Sequence, residues 1–188
     1  MGNAEHRLKQ AVRGLPWLAA LLLPFAVPVA ESMDMSAMPG MHMSKGGDAV
    51  QTAVAGPYRV ELHVLPPEPF HTAADVKAKH IKDGMLVVGG AAPLSPDANP
   101  APNHHLIVHV FAQSGQPVSD ATVTISYRPV DTAGHPVGVS TDVPVVVMQV
   151  VGGGASTTHY GNNVVTAPGA YLVTVQVNGT PATFRVKL

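Results

Sequence analysis

Five methionines and one histidine fall within eleven residues, Met33-Asp34-Met35-Ser36-Ala37-Met38-Pro39-Gly40-Met41-His42-Met43; elsewhere the chain has only Met1, Met85 and Met148. Sulfur recurs every two or three residues around a Pro39-Gly40 turn, so several thioethers and the His42 imidazole can converge on one point. Soft thioether donors select Cu(I) over harder ions, and imidazole suits Cu(I) and Cu(II) alike. Linker filler draws instead on Gly, Ser, Pro and Lys, as Ser44 to Asp48 does just downstream. A core segment would bring other apolar residues, which this stretch lacks. The pattern therefore predicts a metal-capture segment whose ligands are Met33, Met35, Met38, Met41, His42 and Met43, with Cu(I) favoured and Cu(II) accepted.

Two further places carry donors. In Asn103-His104-His105-Leu106-Ile107-Val108-His109, a strand would put His105 and His109 on one face and Leu106, Val108 and Val110 on the other. At ~3.3 Å per residue those two histidines stand roughly 13 Å apart, too far to share one ion, so at most one belongs to a given site. A solvent-facing histidine is the plain alternative for each of them. The second place is Met148, followed after Gly152-Gly153-Gly154 by Thr158-His159-Tyr160-Gly161. A methionine on an apolar strand is ordinarily core packing. Here a glycine-rich turn lets Met148 and His159 face the same point.

The elements that must position these residues are strands. Period-two alternation runs through Tyr58–Val64, His105–Val110, Thr122–Arg128, Tyr171–Val177 and Phe184–Leu188. Asn178-Gly179 between the last two is a strong hairpin signal. Met85 to Val88 and the apolar run Val143 to Val151 are further strand segments. One short helix is expected over Thr72–His80, opened by Thr72 with Asp75 three residues on. Residues 90 to 103 hold four prolines and read as a long loop. About seven short strands with frequent turns predict an all-β, immunoglobulin-like antiparallel β-sandwich with a disordered N-terminal segment. Pro168-Gly169-Ala170-Tyr171 fits the approach to a tyrosine corner.

The first thirty residues read as a secretory leader: Arg7, Lys9 and Arg13, then an apolar run from Leu15 to Ala30. That run is short and proline-broken for a membrane span, which needs roughly 20 residues. The expected organisation is thus a signal peptide over 1–30, a flexible Met/His-rich tail over 31–52 and a sandwich domain over 53–188. The chain has no cysteine, which excludes disulfides, thiolate metal sites and a cysteine nucleophile. Where thiols oxidise to disulfides, thioethers hold a soft metal without cross-linking. Residues 1–30 contain three of the eleven Lys and Arg and one of the twelve Asp and Glu, leaving a net charge of −3 beyond them. Such a balance offers no grip on nucleic acid. Gly-x-Ser-x-Gly, His-Glu-x-x-His and phosphate-loop motifs are missing, so no enzyme is expected. Asp97, Asp120 and Asp131 sit beside turn residues as turn formers.

The segment from His105 to Gly169 resembles the periplasmic iron-transport-associated family of metal-binding sandwiches. The matching pieces are His105-Leu106 opening a strand, and His159-Tyr160-Gly161-x-Asn163 followed by Pro168-Gly169-x-Tyr171. A looser similarity extends to YtkA-like and CopC-like exported sandwiches. The resemblance implies a copper site at His105, Met148 and His159. Two features depart from the family: Ile107 stands where its carboxylate would be, and the interval from Met148 to His159 is longer. The resulting expectation is an exported, periplasmic copper-binding protein for tolerance, storage or delivery, with a membrane transporter or another periplasmic copper protein as partner. A component of iron uptake is the alternative the resemblance permits. A structural or interaction sandwich with no metal role is the alternative outside that class.

Overall fold

The computed structural model describes residues 50–188. The expected leader, the ligand residues Met33, Met35, Met38, Met41, His42 and Met43, and nearly all of the expected tail lie outside the described residues.

The chain forms an all-β sandwich. Its strands are β1 (Gln51–Ala55), β2 (Tyr58–Leu65), β3 (Phe70–His71), β4 (Met85–Gly90), β5 (His104–Ala112), β6 (Val123–Pro129), β7 (Thr141–Val143), β8 (Val146–Val150), β9 (His159–Val164), β10 (Ala170–Val177) and β11 (Thr180–Lys187). The larger sheet has the order β1-β2-β5-β9-β8-β4-β3, and the smaller β11-β10-β6-β7. Pairing is antiparallel except between β3 and β4, which run parallel. The strand β1 starts at Gln51, inside the last two residues of the expected tail.

Alternation explains the core. Val60 and Leu62 of β2, Leu106, Val108 and Val110 of β5 and Tyr160 of β9 meet Val173, Val175 and Val177 of β10 and Phe184 and Val186 of β11. Each such aliphatic side chain taken out of water stabilises the fold by about 2 kcal/mol. The Tyr160 hydroxyl donates to the Val118 carbonyl at 3.0 Å and accepts from the Ala121 amide at 3.1 Å, pinning the β5–β6 connection. At the start of β10 the Tyr171 hydroxyl donates to the Ala167 carbonyl, four residues upstream, at 2.8 Å. This is the contact a tyrosine corner makes. Asn178 and Gly179 both take positive φ (50° and 81°), as a two-residue hairpin turn between β10 and β11 requires.

The apolar run from Val143 to Val151 is not one element. The chain leaves the smaller sheet after Val143, turns through Pro144 and joins the larger sheet at Val146. Helix α1 (Ala73–Lys79) has Thr72 as its N-cap, with a reciprocal bond from Asp75 completing a capping box. It belongs to a long excursion, residues 66–103, inserted between β2 and β5.

Candidate functional site

Each sheet has two faces, and on the larger sheet the face turned away from the sandwich core carries the chemistry. Cross-strand partners share a face. Glu61 pairs with His109, Met148 with His159, and Val87 with Met148. The β5–β9 register runs to Val108↔Tyr160, and one further step sets His109 beside His159. Glu61, His109, His159 and Met148 therefore stand abreast across β2, β5, β9 and β8. One row away lie His63, Ile107, Gly161 and Val146, and beyond them Leu65, His105 and Asn163.

Side-chain positions agree with the register. The rings of His109 and His159 lie 5.3 Å apart between centroids, and those of His63 and His109 5.2 Å apart. Two imidazoles on one tetrahedral ion, with metal–nitrogen bonds of ~2.0–2.1 Å, place their ring centres roughly 5 Å apart. Gly161 sets the spacing of β5 and β9 beneath these rings. A Cβ at this position would come within 1.8 Å of the Leu106 carbonyl oxygen, so only glycine permits the close approach.

The protonation states follow from the partners. His159 Nδ1 lies 2.9 Å from the Thr157 carbonyl oxygen, which can only accept; Nδ1 therefore carries the proton and Nε2 the lone pair. That Nε2 is buried with no hydrogen-bond partner. Burial pushes the His159 imidazole down to about 4, aided by neighbouring His63 and opposed by the Thr157 bond. Burial, with His159 and His63 adding to it, holds His109 well below the ordinary histidine range. Both rings are thus neutral at pH 7, the form that ligates a metal. Met148, fully buried, brings a thioether to the same row.

His105 is built the same way in a different place. The Asn163 amide donates from Nδ2 to the Glu68 and Leu94 carbonyls at 3.0 and 2.8 Å, so its Oδ1 is the acceptor that His105 Nδ1 meets at 2.9 Å. The His105 Nε2 lone pair is likewise buried and unpartnered. Burial first, then His159, lowers its pKa to about 4 against the Asn163 bond. Its ring meets Phe70 edge-on at 5.5 Å. Along β5 it stands four residues from His109, and hence four from the level of His159.

Of the residues expected to form one site, the structure thus brings Met148 and His159 side by side and sets His105 two rows away. His105 and His109 stand four residues apart on β5, and His159 lies at the level of His109 rather than of His105. A carboxylate stands on the adjacent strand at the level of His109: Glu61, whose Oε1 pairs with Arg59. Alternation alone puts Glu61 and His63 on the polar face of β2, yet both are buried. Their shared parity with His109 was visible only through the pairing of β2 with β5.

Among the described residues, no three His, Asp or Glu side chains form a group that could hold a metal ion. A three-donor set here needs the Met148 thioether beside two imidazoles, and two nitrogens with one sulfur fit copper. No family model matches the chain, and no curated protein or solved structure matches it. Fold and site together define a class by architecture: an all-β sandwich with a buried imidazole–thioether cluster on the outer face of its larger sheet.

Proposed function

We propose that this is an exported copper-binding protein of the periplasm, serving copper tolerance, storage or delivery. Its cargo ion is held in the folded domain by His159, Met148 and a second imidazole, for which His109 is favoured over the expected His105. The observation that carries this reading is the pair of neutral rings, His109 and His159, 5.3 Å apart with the Met148 thioether abreast. A buried acceptor such as His159 Nε2, left without any donor, costs a fold about 1–3 kcal/mol. A purely structural sandwich would fill this row with aliphatic side chains; a Lewis-acidic ion supplies the missing partner. The methionine-rich segment from Met33 to Met43 supports the same assignment by its donor chemistry and would gather Cu(I) for the domain. The lack of cysteine and the leader-like first thirty residues support the periplasmic location. A copper transporter or another periplasmic copper protein is the partner this role calls for.

The test is competition for Cu(I) against a coloured chelator, using the full chain with Met33, Met35, Met38, Met41 and Met43 replaced by leucine to silence the segment. One equivalent should be retained by this parent, none by His159→Phe, and sharply less by Met148→Leu. Retention by all three, or by none, would falsify the assignment. The segment itself is tested as a synthetic peptide of residues 33–43, which should compete for Cu(I) and ignore Zn²⁺.

A further inference from the structure

The 66–103 excursion pairs along β8 through β4 and reaches the outer face around His105, where Asn163 bonds to Glu68 and Leu94 and Phe70 meets the His105 ring. Burial is least on β2, where Glu61 is 7% and His63 8% exposed, against 1% for His159 and 0% for His105. On that strand Glu61 presents a carboxylate oxygen, Oε2, that is buried without a hydrogen-bond partner, 4.0 Å from His63 Nε2. The other oxygen is held by Arg59, whose guanidinium stacks 4.1 Å over the Phe111 ring. That clamp fixes Glu61 so that Oε2 faces its histidine neighbour rather than water. The His63 ring in turn touches His109, which touches His159.

Resting on the copper reading above, we propose that Glu61 and His63 form the port through which the metal ion enters and leaves the buried site. An incoming cation is met by the Glu61 carboxylate and the His63 imidazole. It then exchanges ligands toward the interior: the bond to His63 breaks as a bond to His109 forms, and His159 and Met148 complete the set. No electron is transferred in the exchange. A port of this kind lowers the barrier in both directions and leaves the equilibrium unchanged. Glu61 offers its second carboxylate oxygen as a donor while Arg59 balances its charge.

Stopped-flow transfer of Cu(I) to and from a coloured chelator tests this on the full chain carrying the five methionine-to-leucine changes. His63→Phe should slow uptake and release alike, each by about tenfold or more, while stoichiometry and equilibrium affinity stay with the parent. Glu61→Gln should slow uptake, because it weakens the donor at the port and leaves the Arg59 guanidinium unbalanced beside it. Unchanged rates in both variants would overturn the port. So would loss of equilibrium binding in His63→Phe, which would make His63 a ligand of the site itself. A parent that takes up no copper rejects the functional reading, a result distinct from either of these.

Discussion

Asn163 ties the site to the fold, and replacing it by alanine tests both together. Its side chain makes four hydrogen bonds: from the Glu68 amide at 3.1 Å, to the Glu68 carbonyl at 3.0 Å, to the Leu94 carbonyl at 2.8 Å, and with His105 Nδ1 at 2.9 Å. At about 1 kcal/mol net per bond the loss would be about 4 kcal/mol. Glu68 and Leu94 are only half-buried, so water can replace some of their partners. His105 is fully buried and has no such recourse. The expected destabilisation of Asn163→Ala is therefore about 2–4 kcal/mol, a fall of about 1–2 M in the urea midpoint for a domain of this size. Asn163→Asp separates the contributions, because it keeps Oδ1 for His105 and the Glu68 amide but loses the donors to both carbonyls. Nitrogen-15 spectra of the imidazoles should show His105 as the Nδ1–H tautomer in the parent and a mixture in Asn163→Ala. A midpoint shift below about 0.2 M, or an unchanged His105 tautomer in the alanine variant, refutes the reasoning.

Three other outcomes follow from the geometry. Gly161→Ala requires β5 and β9 to part by about 1.2 Å to bring the 1.8 Å approach up to ~3.0 Å; it should cost about 3 kcal/mol and weaken copper retention, and a thermal midpoint equal to the parent's would contradict it. Tyr171→Phe removes the donor to the Ala167 carbonyl and should destabilise by about 1–2 kcal/mol, read as a lower melting temperature. The pH dependence has a fixed sign: His105 and His159 have folded pKa values near 4, below the unfolded value near 6.5, so the unfolded chain binds more protons between them. Stability should be fully present above about pH 6.5 and fall progressively toward pH 4, by about 3 kcal/mol for each of the two. Urea midpoints that stay level from pH 7.5 to 4.5 would show that these rings titrate normally.

The sandwich strands were legible wherever one face is apolar and the other polar. The alternation of Tyr171–Val177 and the Asn178-Gly179 turn correspond to β10, β11 and their hairpin, and Thr72 with Asp75 marks the start of α1. The strand β9 was illegible for a physical reason. His159-Tyr160-Gly161-Asn162-Asn163-Val164 has residues depleted from strands, and all six are buried, so no polar-outward alternation survives. Without a strand pattern there, the register that sets His159 beside His109 has no signal in the sequence. His105, Met148 and His159 were legible as donors by type. Which of them meet depends on strand order, since β9 reaches β5 only because it lies between β5 and β8. Pro144, which interrupts the apolar run Val143 to Val151 in the sequence, marks the point where the chain passes from β7 to β8.

Because β5 serves the sandwich with its even-numbered residues and the histidine row with its odd-numbered ones, the two sets can diverge separately under substitution. Changes at Leu106, Val108 or Val110 are read out as stability of the sandwich core, and a change at His109 as ligand chemistry. A frame-preserving deletion of one residue within β5 abolishes that independence. Beyond the gap every side chain changes faces, turning imidazole toward the valines of β10 and aliphatic groups toward His159. Lineages descending from this chain would therefore be expected to collect insertions and deletions in the 66–103 excursion and to spare β5.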